Sequence, residues 1–263
     1  MLALDQRDVL ETDTATTLFV STSISQAIQD AASFAQSFRR AAAITGPAGI
    51  GKSTTLRRLA ENNPLALYGE ARDFRRPTHL YQFMVAGFDL PLRSAKSAWN
   101  LREIIHEWMP QLVARGCILF IDEMQELTLD TMREVVGYSE DHRLPVVLVG
   151  NERSLRVRPR MDTYTFDQIL SRISKVTRLQ TPTARDYAEF ASRHGLTDPQ
   201  AVAACAAYGQ RTSFRRLRDL LAVALASATE PASVDRTCIG AALQAVTDGA
   251  GDVRLLQPLS KSA

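Results

Sequence analysis

The sequence predicts an α/β protein in which helices flank a parallel sheet and a smaller all-helical segment follows. Three observations indicate this fold class. A short apolar run leads into a glycine-rich loop at 46–53, and a second apolar run ends in two acids at 117–123. Beyond residue 183 the apolar residues recur only with helical periodicity. The 263 residues are enough for one large domain with a small one attached.

The glycine-rich loop satisfies the phosphate-binding pattern G-x-x-x-x-G-K-[ST] with Gly46, Gly51, Lys52 and Ser53. A predicted strand precedes the loop and a predicted helix follows it, which disfavours a chance match. Its glycines let the backbone turn with positive φ and bring N–H groups close to a phosphate. Lys52 would reach the β- and γ-phosphates, and Ser53 would offer a hydroxyl to Mg²⁺. The predicted nucleotide-binding residues are Gly46, Pro47, Ala48, Gly49, Ile50, Gly51, Lys52, Ser53 and Thr54.

The second apolar run reads Cys-Ile-Leu-Phe-Ile-Asp-Glu over 117–123. A buried parallel strand is a continuous apolar run, and ligands of open α/β sheets lie at the carboxyl ends of the strands. We therefore predict that Asp122 holds Mg²⁺, directly or through water, together with Ser53. Glu123 is placed to activate the attacking water. The alternative is a strand that ends in solvated acids, but the phosphate loop upstream favours the functional interpretation.

Two other positions allow two interpretations each. Asn151 follows a predicted buried strand, where it would hold the attacking water or a γ-phosphate oxygen, or would be a turn residue after Gly150. Leu18, Phe19 and Val20 would lie near a bound adenine or would fill the core.

Hydrophobic periodicity predicts the remaining elements. A helix at 23–38 is expected to pack on the edge of the sheet, and strands are predicted at 41–44, 65–68, 145–150 and 175–179. Further helices are predicted at 54–61, 78–87, 101–115, 129–141, 166–173, 183–194, 199–209, 214–228 and 234–247. The predicted organisation is a flexible arm at 1–17, an α/β core at 18–181, a helical lid at 182–247 and a flexible tail at 248–263.

The composition, 45% hydrophobic and 23% charged, is that of an ordinary globular protein. A net charge of +2 neither requires nor excludes nucleic acid, so any basic surface must be local. The three cysteines form no C-x-x-C pair, which is typical of reduced thiols in a cytosolic protein. No signal peptide and no run of membrane-spanning length is present, so we expect a cytoplasmic protein without a membrane partner.

Taken together, these motifs resemble those of AAA+ P-loop ATPases, and within that superfamily the chain is similar to the phage Mu B transposition family. The similarity extends from about Phe19 to the C-terminus. The S-R-I-x-K and F-R-x-L stretches point to the transposition group, whereas the first two motifs occur in many ATPases. The matching stretches are GPAGIGKS (46–53), IDE (121–123), VGNER (149–153), FDQILSRISK (166–175) and SFRRLRDLL (213–221).

The resemblance implies ATP and Mg²⁺ as cofactors and further catalytic roles for three residues. Asn151 matches the sensor-1 position, Arg172 matches the arginine finger that enters a neighbouring subunit's site, and Arg215 matches the sensor-2 arginine. Thr212 or Ser213 replaces the glycine usual before sensor 2, so the register of Arg215 against Arg216 stays open. The resemblance also implies an ATP-dependent helical homo-oligomer on double-stranded DNA, which regulates a transposase and disassembles after hydrolysis.

Only about seventeen residues stand where the family has a helix-turn-helix region, so we expect either that the ATPase domain itself contacts DNA or that DNA binding is weaker. Related filaments line their bore with the segment after the second strand, which favours Arg75, Arg76, Arg93 and Lys96 as phosphate contacts. Other candidates are Arg72 and the arginines at 153, 156, 158 and 160. For the loop that carries these last four arginines, the alternative is contact with a neighbouring subunit. Each basic group has an ordinary alternative as solvated surface.

Three alternative functions share these motifs. A helicase loader or replication initiator has the same ATPase site. A monomeric P-loop kinase or small-molecule NTPase belongs to a different class, and Asn151 and Arg172 argue against it because a monomer needs no outward-facing finger. A nucleotide-gated scaffold with little turnover is disfavoured by Glu123.

Overall fold

Five strands form one sheet. The computed structural model describes residues 19–91, 97–152, 154, 163–247 and 251–257. The strands are β1 (Ala41–Thr45), β2 (Ala66–Glu70), β3 (Ile118–Asp122), β4 (Val146–Gly150) and β5 (Lys175–Arg178). Within this part of the chain their order across the sheet is β2-β3-β4-β1-β5, and every neighbouring pair is parallel. The predicted parallel sheet is therefore confirmed.

The order of the strands brings the important loops together. β1 is paired with β4 and β5, and β3 is paired with β2 and β4. The phosphate loop follows β1, the two acids stand where β3 ends, and Asn151 follows β4. Since parallel strands end on the same side, these three segments lie side by side at the carboxyl end of the sheet.

Ten helices surround or follow the sheet in the described residues. They are α1 (Ser23–Phe38), α2 (Lys52–Glu61), α3 (Pro77–Gly87), α4 (Ala98–Arg115), α5 (Leu129–His142), α6 (Thr163–Ser171), α7 (Ala184–Arg193), α8 (Pro199–Arg211), α9 (Phe214–Ala226) and α10 (Arg236–Val246). Side-chain caps fix several of their starts. For example, Thr22 Oγ1 accepts a hydrogen bond from the Ser25 N–H at 3.2 Å, and Asp198 accepts one from the Ala201 N–H at 2.8 Å. No helix among these residues is long and apolar enough to cross a membrane.

The helices cover both faces of the sheet. Every residue of β1, β3 and β4 is buried, as expected for parallel strands between two layers. On one face α3, α4 and α5 pack on Ala43, Leu119 and Leu148. On the other face α1 and α2 pack on alternate residues such as Ile44 and Phe120.

The expected position of α1 at the edge of the sheet is wrong. Its residues Ile28, Ala31 and Ala35 are fully buried against the strands in the centre of the sheet. Two of these residues are alanines, whose small side chains let the helix approach the sheet face closely. The apolar periodicity predicts the helix correctly but carries no information on which part of the sheet it covers.

The C-terminal helices α7 to α10, which we call the helical region, bury a hydrophobic cluster of their own. Its centre includes Leu217, Leu221 and Leu243, each with no exposed surface. The division of the chain at 182 stays a prediction, whereas the helical character of this region is observed.

Residues 251–257 were expected to belong to a flexible tail, and for them the expectation is wrong. Leu256 is buried in the same cluster because Leu255 and Leu256 supply apolar surface that packs on α8.

Candidate nucleotide-binding site

The phosphate loop lies between β1 and α2, and two of its glycines have positive φ. Gly49 has φ +75° and Gly51 has φ +95°, a conformation that side-chain-bearing residues rarely adopt. Gly46 is needed for a different reason, since a Cβ there would lie 2.8 Å from Leu179 Cβ. Helix α2 begins directly after Gly51, so its first N–H groups point into the loop. This arrangement suits an anion such as a phosphate.

Lys52 lies at the start of α2 and is buried, with 8% of its surface exposed. Its Nζ donates hydrogen bonds to the Gly46 carbonyl oxygen at 3.0 Å and to the Pro47 carbonyl oxygen at 2.6 Å. Burial lowers the pKa of Lys52, while the nearby carboxylates of Glu123 and Asp122 oppose this shift. The ammonium group is thus held at the loop, close to both acids of β3.

Asp122 ends β3 and is almost completely buried, with 1% exposed. Its Oδ1 accepts a hydrogen bond from the Glu123 N–H at 2.9 Å, and its Oδ2 accepts one from the Tyr68 hydroxyl at 3.4 Å. Burial, followed by the charge of Asp122, raises the pKa of Tyr68 to about 12, so the phenol remains a donor. Glu123 has φ +54°, an uncommon left-handed conformation for a residue with a side chain.

Gln125 connects the acid pair to the end of β4, a role that sequence reasoning missed. Its Nε2 donates a hydrogen bond to the Glu123 carboxylate. Its Oε1 accepts hydrogen bonds from the Asn151 N–H at 3.3 Å and from the Ser154 hydroxyl at 2.9 Å. The 3₁₀ turn Met124–Glu126 brings Gln125 to this position. A glutamine two residues after an acid carries no recognisable sequence signal for such a link.

The loop, both acids and Asn151 line one cleft of about 740 Å³, which is large enough for a nucleotide. The helical region supplies the opposite side through α7 and α9, and the segment before α1 contributes Phe19, Val20 and Thr22. We call Phe19, Phe190, His194 and Phe214 the aromatic wall of this cleft. Phe19 and Val20 are half-buried and line the cleft, so the interpretation as core filling is not supported.

Arg215 lies near the start of α9 and lines the cleft. A Cβ on Gly49 would lie 2.9 Å from Ser213 Oγ and 3.6 Å from Arg215 Cβ, so the helical region touches the phosphate loop here. Arg216 is not among the described residues that line the cleft, and its charge acts on Tyr208 within the helical region. The geometry therefore favours Arg215 over Arg216 for the predicted sensor-2 role. Arg57, Arg72 and Arg218 also line the cleft, although no sequence motif identified them as cleft residues.

Arg172 does not line this cleft. It follows α6, and its Nε lies 2.9 Å from Glu140 Oε2. It borders a second cavity of about 190 Å³, formed mainly by α4 and α5, together with His106, Glu134 and His142. Among the described residues Arg172 is therefore not part of the cleft of its own chain, and its role at a neighbouring subunit's site stays a prediction.

The structure places the predicted DNA contacts only in part. Arg75 lies at the rim of the nucleotide cleft, where its Nη2 is 2.6 Å from Glu126 Oε2. Arg76 precedes α3 and is exposed, and it makes no ion pair among the described residues. Arg93 and Lys96 lie outside the described residues, and so do the predicted arm at 1–17 and the arginines at 153, 156, 158 and 160.

Residues 36–158 match the family model described as AAA domain. No curated protein matches the sequence significantly. Among solved structures, the chain is similar to Cdc6p from Pyrobaculum aerophilum, with TM-score 0.63, 17% identity, and coverage of 85% of this chain and 67% of that chain. It is similar to the ORC2 protein of Aeropyrum pernix in ADPNP-ADP complexes, with TM-score 0.61, 16% identity, and coverage of 90% and 71%.

A third similar structure is domain III of the replication initiation protein DnaA from Thermotoga maritima, with TM-score 0.56, 17% identity, and coverage of 87% of this chain and 94% of that chain. At these identities the similarity concerns the fold. The chain therefore has the AAA+ P-loop fold, with an AAA domain match over 36–158 and a helical region on its C-terminal side.

Proposed function

We propose that this protein is an ATPase that binds ATP with Mg²⁺ in the cleft and hydrolyses it to ADP and phosphate. The observation that carries the proposal is the convergence of Lys52, Asp122, Glu123, Asn151 and Arg215 on one cleft. These residues come from the start of α2, from the ends of β3 and β4 and from the helical region. The AAA domain match supports nucleotide chemistry in this part of the chain.

The phosphates would be bound by the loop and by Lys52. The backbone N–H groups at the start of α2 favour an anion, and Lys52 adds a buried positive charge next to them. Charge-assisted hydrogen bonds are strong in such a water-poor site. Arg215 would approach the same phosphates from the helical region, which would couple nucleotide binding to the position of α9.

Ser53 and Asp122 would hold Mg²⁺. A hydroxyl and a buried carboxylate are oxygen ligands, and Mg²⁺ commonly takes one or two protein ligands and completes its shell with phosphates and water. Among the described residues no group of three or more His, Cys, Asp or Glu side chains could hold a metal by itself. These residues thus fit an ion that arrives with the nucleotide. When bound, the ion would neutralise negative charge on the phosphate oxygens.

Glu123 would accept a proton from the attacking water, which is general base catalysis. Its carboxylate is held by the Gln125 amide, whose other end accepts a hydrogen bond from the Asn151 N–H. The orientation of Glu123 is therefore linked to the end of β4, where the γ-phosphate is expected. This link supports a shared role of Glu123 and Asn151 in placing the water.

Arg172 would complete the site of a neighbouring subunit. Its guanidinium is permanently charged, and its planar fork matches a γ-phosphate. If the finger comes from a neighbour, ATP binding and subunit assembly stabilise each other by the same free energy. A head-to-tail contact that does not close produces a helix rather than a ring. The resemblance to the Mu B family implies a contact of this kind, and on that basis we propose a helical homo-oligomer.

We further propose that this oligomer forms on double-stranded DNA and recruits or regulates a transposase. The support is the sequence resemblance over 166–175 and 213–221. Of the described DNA candidates, Arg76 is better placed than Arg75, because Arg75 is paired with Glu126.

A second candidate function is that of a replication initiator or helicase loader. It is favoured by the similarity of the fold to Cdc6p, ORC2 and the DnaA domain.

The experiment that tests this function compares ATP with ADP in negative-stain electron microscopy with linear duplex DNA, beside an ATPase assay with and without DNA. We expect helical coats on the DNA with ATP alone, and faster hydrolysis when DNA is added. Closed rings or isolated particles that ignore DNA would contradict the transposition role and favour the second candidate or a small-molecule NTPase.

A mixing experiment tests the contribution of Arg172. Lys52→Ala subunits would lack a working nucleotide site but keep the finger, and Arg172→Ala subunits would have the reverse defect. We expect each variant to be nearly inactive alone and a mixture of the two to regain ATPase activity. If the mixture stays inactive while both variants assemble, Arg172 does not act across subunits.

A further inference from the structure

The aromatic wall brings several rings, tilted against one another, to the same cleft as the phosphate loop. The rings of Phe190 and His194 have centroids 4.3 Å apart, and those of Phe190 and Phe214 are 5.2 Å apart. Phe19 and Val20 border the same cleft. A surface of this kind suits a planar base, whereas the charged residues near the loop suit the phosphates.

His194 is the polar member of this wall. The hydrogen bond of one ring nitrogen determines whether the other nitrogen is a donor or an acceptor. Its Nδ1 lies 2.8 Å from the Phe190 carbonyl oxygen. A carbonyl oxygen only accepts, so the hydrogen of the neutral ring is on Nδ1. Nε2 is then an acceptor, and the ring makes no other hydrogen bond within the described part of the chain. The wall thus offers one directional acceptor next to an apolar surface.

We propose that Nε2 of His194 accepts a hydrogen bond from the 6-amino group of adenine, and that the protein thereby selects adenine over 6-oxopurine nucleotides. This inference rests on the proposed function, since it assigns the base that accompanies the bound phosphates. Adenine presents a donor at C6, whereas guanine and hypoxanthine present an oxygen acceptor there. Two acceptors that face each other leave both groups without a hydrogen bond, which is unfavourable in a partly buried site.

Asp186 holds the two sides of this base site together. It is 8% exposed, and its carboxylate accepts hydrogen bonds from the Ser23 N–H and hydroxyl, both at 2.7 Å, and from the Thr183 N–H and hydroxyl, both at 2.8 Å. Ser23 follows Thr22, which lines the cleft. His194 follows Asp186 by two helical turns. One carboxylate therefore fixes both α7 and the segment before α1, residues 19–22, which we call the entry segment.

The test measures the equilibrium binding of ADP and of inosine diphosphate, IDP, by titration calorimetry with Mg²⁺. Diphosphates avoid turnover, and the two ligands differ at C6 and at N1, where hypoxanthine carries a hydrogen. For the wild-type protein we expect ADP to bind about tenfold more tightly than IDP, or better.

His194→Phe keeps an aromatic ring beside Phe190 but removes the acceptor, so the ratio of the affinities for ADP and IDP should fall to about twofold or less. Arg193→Gln is the matched control, because Arg193 is exposed and paired with Glu189, and this variant should keep the wild-type ratio.

The possible outcomes separate the inference from the proposed function. If the wild-type protein binds neither nucleotide, the proposed function fails and the inference with it. If it binds both equally, the base preference is wrong while the nucleotide site stands. If His194→Phe keeps the full preference, another group reads the base. Should His194→Phe not fold, His194→Gln replaces it; its amide can rotate to donate or accept, so the preference should again weaken.

Discussion

The two sides of the cleft are built in different ways. The phosphate side consists of a continuous loop, 46–53, and of strand ends that the parallel sheet places side by side. The aromatic wall combines the segment before α1 with α7 and α9, and the hydrogen bonds that Ser23 donates to the Asp186 carboxylate join residues 163 positions apart in the chain. The phosphate side therefore depends on local backbone geometry, whereas the aromatic wall depends on the docking of the helical region.

This difference indicates a division of function. Substitutions on the phosphate side should affect all nucleotides alike, because the phosphates are common to them. Substitutions in the aromatic wall should change the preference between bases and leave the hydrolytic step largely intact. The four variants below test this division, from the largest expected effect to the smallest.

Replacing Glu123 by Gln removes the proposed base but keeps the shape of the side chain. We expect the hydrolysis rate to fall by about 10²- to 10⁴-fold, while the affinity for ATP changes little. The variant should also stay assembled on DNA in the presence of ATP. Phosphate release and nucleotide binding measured on the same preparation test this, and a rate near that of the wild type would remove Glu123 from its assigned role.

Replacing Lys52 by Ala removes the buried ammonium at the loop. We expect the affinities for ADP and IDP to fall together by about 100-fold, because loss of a buried charge partner costs about 2–5 kcal/mol. The ratio between the two affinities should stay unchanged. Lys175→Ala is a control. Lys175 lies on β5, where its ammonium group contacts the face of the Phe34 ring, and it does not line the cleft. A change confined to one nucleotide would contradict the division between the two sides.

Replacing Gln125 by Ala releases the Glu123 carboxylate from its hydrogen bond. We expect a fall in kcat of about tenfold, with little change in KM, because a misplaced base weakens the chemical step rather than binding. Steady-state kinetics measures both constants. A change in KM alone would show that Gln125 serves binding and not the position of Glu123.

Replacing Asp186 by Asn weakens the connection between the entry segment and α7. Burial alone would raise the pKa of Asp186, but the hydrogen bonds from Ser23 and Thr183 outweigh this effect and lower the pKa. The carboxylate therefore stabilises the fold above about pH 4, the usual pKa of an unfolded Asp, and this stabilisation is lost as the pH falls through the lower folded-state pKa.

Urea unfolding of this variant should show a loss of about 1–3 kcal/mol at pH 7 and a smaller loss near pH 3. The preference for ADP over IDP should weaken by a few-fold, because the wall loses its fixed position. An equal loss of stability at both pH values would mean that the negative charge of Asp186 is unimportant.

The sequence predicts the sheet and most helices closely, because their apolar residues recur with a clear period. The strand predicted at 145–150 is observed as Val146–Gly150, and the helix predicted at 129–141 as Leu129–His142. Helix α2 begins at Lys52, two residues earlier than predicted, because Gly51 makes the turn directly before it. The phosphate loop and the acid pair are recognisable since each is a continuous motif.

The remaining features depend on contacts between distant residues. The place of α1 on the sheet, the role of Gln125 and the hydrogen bonds of Asp186 leave no pattern in the chain. His194 carries no motif either, and its proposed role rests on the contact of its Nδ1 with the Phe190 carbonyl oxygen and on its position in the same cleft as Phe19. The functional roles of Asn151, Arg172 and Arg215 stay predictions.

The hydrogen bonds of Asp186 lie next to Thr183, close to where the chain passes from the sheet into α7. If the helical region turns, this position makes them its pivot, because atoms near an axis of rotation move least when a body turns. A turn of the helical region would thus carry Arg215 toward or away from the phosphates and leave the entry segment almost in place.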